Sequence, residues 1–194
     1  TQQLGEAEKR RAPSHFKEAL RLSGGQNAGL MLKLAEALQA LGRRSEARGV
    51  AQAAAAVLDA LPPEGLLAPF YFSLGTLSVT VGANAAEAQS LFERAMAALE
   101  HSSEPQAGKD YQYKESALAS RIAFQLAMTA GMQGHWPSAV EQLEQALTAP
   151  RALQPGDRQR AVTMLQEARQ RASGDGGAKK AARRKKGRKG RKVV

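Results

Sequence analysis

GHWPSAVEQLEQALTAP, residues 134–150, sets a turn glycine, an aromatic and a helix-starting proline ahead of Ala139, Leu143 and Ala146, which return at the spacing of one helical face. Just before it, Leu126, Ala127 and Ala130 occupy a second helical stretch that runs into Gly134. The same arrangement recurs upstream in MLKLAEALQALGRRSEARGVAQAAAAVLDALP, where Leu34, Ala35, Leu38, Gly42, Ala47, Ala51 and Ala54 hold the same offsets position for position. YFSLGTLSVTVGANAAEAQSLFERAMAAL repeats it through Leu74, Gly75, Gly82, Ala88, Phe92 and Ala95, with one extra residue in the turn. At the start of the chain Ala12, Phe16 and Ala19 match only the second half.

Each unit therefore reads as a helix, a glycine turn and a second helix, with Ala or Gly where the two helices cross and must approach closely. One such pair cannot bury both of its faces, so it must stack on another. This resembles the tetratricopeptide repeat, a helix-turn-helix unit of about 34 residues with small residues at the crossing. The resemblance covers roughly residues 6–150. It is best in the small-x3-large-x2-small run, while early aromatics appear only as Tyr71 and the closing proline is displaced to Pro62 or Pro150. Unit spacing is uneven: 35 residues from Ala12 to Ala47, 41 from Ala47 to Ala88 and 51 from Ala88 to Ala139. Loops around LPPEG and HSSEPQAGKD absorb the difference.

The expected fold is accordingly all-α, with antiparallel helix pairs stacked as a right-handed α-solenoid. A half repeat is placed at residues 6–22 and full repeats at about 27–61, 66–101 and 112–150. DRQRAVTMLQEARQRA, introduced by Pro155-Gly156-Asp157 and carrying Ala161, Val162, Leu165 and Ala168 on one side, is expected to form a capping helix over 156–173. Together these make a repeat domain over 1–173. Because the first unit is a half, the chain reads as the end piece of a longer protein.

Composition agrees. Ala, Leu, Gln, Glu and Arg fill the long segments and Val, Ile and Thr are sparse, which is helical usage. There is no cysteine among the 194 residues, so neither a disulfide framework nor a thiolate zinc site is available. The first segment, GEAEKRR, is charged, and no signal peptide is visible. Residues 65–86 carry no charge and reach membrane-spanning length, yet Pro69, Asn84, Ser73, Thr76, Ser78 and Thr80 together with the repeat register favour a buried helix.

In the tetratricopeptide family the first helix of each pair lines the concave side. That register puts Leu32, Glu36 and Gln39, then Phe72, Thr76 and Val79, then Arg121, Phe124 and Met128 on an inward groove. Two phenylalanines and a methionine would give it an apolar floor suited to an amphipathic helix or an extended peptide. The alternative is that Phe72 and Phe124 are filled by the long loops or by a missing neighbour. The family's carboxylate clamp is not matched, since Leu32 and Glu36 stand where its basic and amide residues would be.

Catalytic patterns are not found. His15, His101 and His135 lie far apart and lack metal-ligand spacing or a neighbouring nucleophile, and His135 with Trp136 falls in a repeat turn, where packing is the ordinary role. Glu141 and Glu144 read as helix solubility. GGQNAG and GDGG lack the strand, lysine and hydroxyl of a phosphate loop. The chain is read as a non-enzyme with no cofactor.

Charge is distributed unevenly. Lys179, Lys180, Arg183, Arg184, Lys185, Lys186, Arg188, Lys189, Arg191 and Lys192 carry ten positive charges with no acid after residue 177, and they account for the whole formal excess of +10. The remaining 18 Lys and Arg balance 18 Asp and Glu. Residues 174–194 are expected to be a disordered tail that seeks polyanions: nucleic acid, an importin carrier, an acidic protein or an anionic membrane. KKAARRKKGRK also reads as a nuclear import signal. Two functions follow from these features. One is a protein-protein interaction scaffold or complex subunit, cytoplasmic or nuclear, with a polycationic tail. The other is a ribonucleoprotein or other nucleic-acid-associated subunit whose tail makes the main contact.

Overall fold

The computed structural model of the chain describes residues 2–62, 65–101, 109–148 and 153–188. Among these residues there are eight α-helices and no strand. In chain order they are α1 (Gln2–Leu22), α2 (Ala28–Ala40), α3 (Arg44–Asp59), α4 (Ala68–Thr80), α5 (Ala85–Glu100), α6 (Lys109–Met132), α7 (Trp136–Thr148) and α8 (Pro155–Arg188), with a short 3₁₀ turn at Gly65–Leu67 leading into α4.

The glycine turns anticipated from the sequence share one hydrogen-bond geometry. Gly42, Gly82 and Gly134 have φ of 74°, 79° and 76°, the left-handed region that favours glycine. The amide after each glycine donates to a carbonyl five residues back: Arg43 to Leu38 at 2.9 Å, Ala83 to Ser78 at 2.9 Å and His135 to Ala130 at 2.9 Å. The glycine amide itself donates three residues back, as Gly42 does to Gln39 at 2.9 Å. This is the Schellman stop, which satisfies carbonyls that the helix end leaves free. It turns the chain at once into the next helix, so α2/α3, α4/α5 and α6/α7 are hairpins. In the middle turn the additional residue places Asn84 at the cap of α5, where its side chain accepts from the Glu87 amide at 2.7 Å.

Small residues then fix how close the helices lie. Ala35, Ala47, Ala54, Ala88, Ala95, Ala127 and Ala146 are fully buried and Ala139 is nearly so. At Gly75 a Cβ would stand 2.6 Å from Cε1 of Phe92, so the crossing of α4 with α5 has no space for even one methyl group. α4 is apolar nearly all round because it is surrounded: α2, α3, α5 and α6 all pack against it. That burial accounts for the uncharged stretch at 65–86, and among the described residues no helix is long and apolar enough to cross a membrane.

Hairpins stack so that α2, α4 and α6 are successive neighbours while α3 leans on α4, α5 on α6 and α7 on α8. Two apolar cores result. One joins α2 to α5 with Ile122 and Leu126 of α6, the other joins α6, α7 and α8, and Met96 touches both. α1 packs on α2 at one end.

Boundaries differ from the sequence reading at three places. α1 begins at Gln2 and continues through the buried Pro13, so it is longer than the 6–22 half repeat. α6 begins at Lys109, ahead of residue 112. The expected change from helix to disordered tail at 173/174 is not a helix end, since α8 runs unbroken to Arg188. Ala, Lys and Arg, which make up nearly all of 178–188, are among the stronger helix formers, and cations near a helix C-terminus complement its dipole. Lys189, Arg191 and Lys192 lie outside the described residues, as do parts of both inter-repeat loops.

Candidate functional site

The nine groove residues are distributed along α2, α4 and α6, the three helices that neighbour one another through the stack. They do not form one open floor. Leu32, Phe72 and Phe124 are only 6%, 9% and 3% exposed. Phe124 belongs to the second core with Leu143, Leu153 and Ala161, so it is packed and is not groove lining. Phe72 packs its ring against Phe92, with centroids 5.9 Å apart at 49°, and the Arg121 guanidinium stands 4.8 Å from its centroid. Of the two expected floor phenylalanines, one is therefore core and the other is roofed by a cation from the next hairpin.

The rest of the set remains accessible. Arg121 is exposed, and Glu36, Gln39, Thr76, Val79 and Met128 are half-buried. Glu36 is paired with Lys33 at 2.8 Å, one turn along α2. The Thr76 hydroxyl donates to the Phe72 carbonyl at 2.9 Å, which leaves its oxygen able to accept from a ligand. The surface that results is a mostly polar strip interrupted by Val79 and Met128, with charge of both signs.

A second feature lies outside the groove register: a cleft of about 330 Å³ between α3 and α5, lined by Ala51, Ala55 and Leu91. Its walls are tied by polar bridges. Arg48 and Gln52 on α3 donate to Glu87 on α5 at 2.5 and 3.0 Å. Arg94 donates to both carboxylate oxygens of Asp59 at 2.8 and 2.6 Å, and the Tyr71 hydroxyl donates to the same carboxylate at 2.9 Å. Burial, then the bond to Asp59, pushes the Tyr71 phenol up to about 12. Beyond the Asp59–Arg94 bridge a further cleft of about 280 Å³ is bounded by Tyr71, Leu67 and His101. The signal for these bridges was in the sequence: the partners are 35 to 39 residues apart, about one repeat, so the stack brings them opposite each other.

The closing helix is held on α7 by three kinds of contact. Ala161 and Ala168 are buried, Arg169 donates to Glu144 at 2.8 Å, and the Arg171 guanidinium lies 4.4 Å from the centre of the Trp136 ring. Trp136 is partly buried against the second core, and a Cβ at Gly131 would stand 3.5 Å from its ring, which accounts for the aromatic in the third turn as a packing residue. Lys179, Lys180, Arg183, Arg184, Lys185, Lys186 and Arg188 fall within the backbone of the same helix. Among the described residues no cluster of His, Asp and Glu has metal-binding proximity.

No protein-family model matches the sequence, and no curated protein does. Solved structures share its fold. A crystal structure of MamA aligns over 91% of this chain and 95% of its own at TM-score 0.54 and 16% identity. Another MamA structure aligns over 89% and 87% at TM-score 0.54 and 17% identity. Likeness at that level of identity concerns the fold alone, and it defines the class: the chain is an all-α, tetratricopeptide-like helical solenoid.

Proposed function

We propose that the protein is a non-enzymatic protein-protein interaction scaffold, a subunit or part of a larger assembly, built from three and a half degenerate repeats and a closing helix. The observation that carries this reading is the strip along α2, α4 and α6. Three consecutive hairpins contribute to it, and Arg121 reaches from α6 to Phe72 on α4, so its side chains have fixed relative positions across the stack. A rigid, mixed-charge strip matches a peptide or helix that offers acidic and small apolar side chains at matching intervals. The polycationic end of α8 adds electrostatic attachment to a polyanion or directs nuclear import. A role as a nucleic-acid-associated subunit would make that end the main contact.

The test is affinity capture with the full chain, with Arg121→Glu and with Ala53→Glu as a control at an exposed position of α3. Proteins retained by the unaltered chain and the control but lost from Arg121→Glu, at unchanged thermal stability, are the expected result. Identical retention by all three would contradict the assignment of the strip.

A further inference from the structure

Resting on the polyanion reading, we propose that the basic end of α8 is a helical surface for duplex DNA, seated in the major groove by phosphate contacts. α8 is one element from the residues that dock on α7 to Arg188, so the cations continue the rod that closes the solenoid instead of following a flexible spacer. Residues 178–188 extend that rod by about 16 Å at 1.5 Å per residue. They include Lys179, Lys180, Arg183, Arg184, Lys185, Lys186 and Arg188 and no acid. At about 100° per residue, all of these but Lys185 fall in register positions within roughly 200° of the circumference, and Ala178, Ala181 and Ala182 occupy the remainder.

That composition selects among polyanions. Aromatic residues are absent from 178–194, so single-stranded bases have nothing to stack on. Alanine is the only apolar residue in 178–188, which gives no face to insert at a lipid interface. A helix of about 10–12 Å fits the roughly 12 Å major groove of B-form DNA, whereas the major groove of an RNA duplex is too narrow for it. Duplex DNA also presents one charge per about 1.7 Å of axis, dense enough to meet a cation on every turn. Lys179 and Arg183, Lys180 and Arg184, and Arg184 and Arg188 stand four apart and repel along a helix. Phosphate neutralises that repulsion, so binding stabilises the helix that is already formed.

The experiment titrates the full chain against a labelled duplex of about 20 base pairs, one strand of it, the RNA duplex of the same sequence and anionic phosphatidylglycerol vesicles, with anisotropy or scattering and far-ultraviolet circular dichroism as readouts. The duplex DNA is expected to bind tightest, with the helix signal retained and a loss of affinity on the order of 10³-fold or more between 50 and 200 mM salt. Ala182→Pro keeps every charge and breaks the helix; it is expected to weaken duplex DNA binding at least tenfold with an unchanged thermal melt. Arg183→Gln with Lys186→Gln removes two cations of that face without a break and should lower the salt slope by about two. Equal affinity of Ala182→Pro and the unaltered chain would overturn helical seating while leaving a charged-tail role intact. Preference for the RNA duplex, the single strand or the vesicles would overturn the DNA assignment, and no binding to any of the four would overturn the polyanion reading as well.

Discussion

Phe124 shows how a single residue divides two accounts of the strip. Family register puts it on the groove floor, yet it is 3% exposed among Leu143, Leu153 and Ala161. Phe124→Ala should therefore reduce stability by about 3–5 kcal/mol in urea unfolding, the range for emptying a packed aromatic site. A change below about 0.5 kcal/mol with loss of partner capture would return it to the groove. The register identified which helix positions face the neighbouring unit, but not what covers them. Phe124 is buried in a core shared with α7, Leu153 and the closing helix, and a pattern internal to one repeat contains no information about that neighbour. Ala35, Ala47 and Ala88 were legible for the opposite reason: their size is dictated by the partner within the same hairpin, whose spacing the repeat encodes.

At the scale of elements, the bridge among α3, α4 and α5 gives a pH signature. Tyr71 donates to Asp59, which also accepts from Arg94, and the phenol is raised to about 12 from an ordinary 10. The folded chain thus holds the Tyr71 proton more tightly than the unfolded chain. Its contribution is fully present below pH 10 and is lost as pH rises from 10 through 12. Comparison of urea midpoints should show the unaltered protein losing more stability across that window than Tyr71→Phe, and equal slopes would contradict the bridge. Helix existence and the glycine stops were readable because each depends on a few adjacent residues. The length of α8 was not, because like charge and the glycines of GDGG argue against helix while Ala, Lys and Arg propensity argues for it. Bridges such as Asp59–Arg94 required the inter-repeat register, which loops of unequal length obscure.

For the whole molecule, the stack is close to one-dimensional: each hairpin rests on its neighbours, and α1 and α8 close the two ends. Its stability then depends on every interface having the same close approach, which the alanines at matched offsets provide. Ala54 and Ala146 occupy the same place in two different hairpins and are both 0% exposed, whereas Ala53 and Gln145 are their exposed neighbours. The direct measurement is urea unfolding of Ala54→Leu and Ala146→Leu beside Ala53→Leu and Gln145→Leu. Overpacking should reduce stability by about 1–3 kcal/mol in the first pair, while the exposed pair stays within about 0.5 kcal/mol of the unaltered chain. Equal effects at the buried and exposed positions would contradict the claim that these small side chains set the spacing of the solenoid.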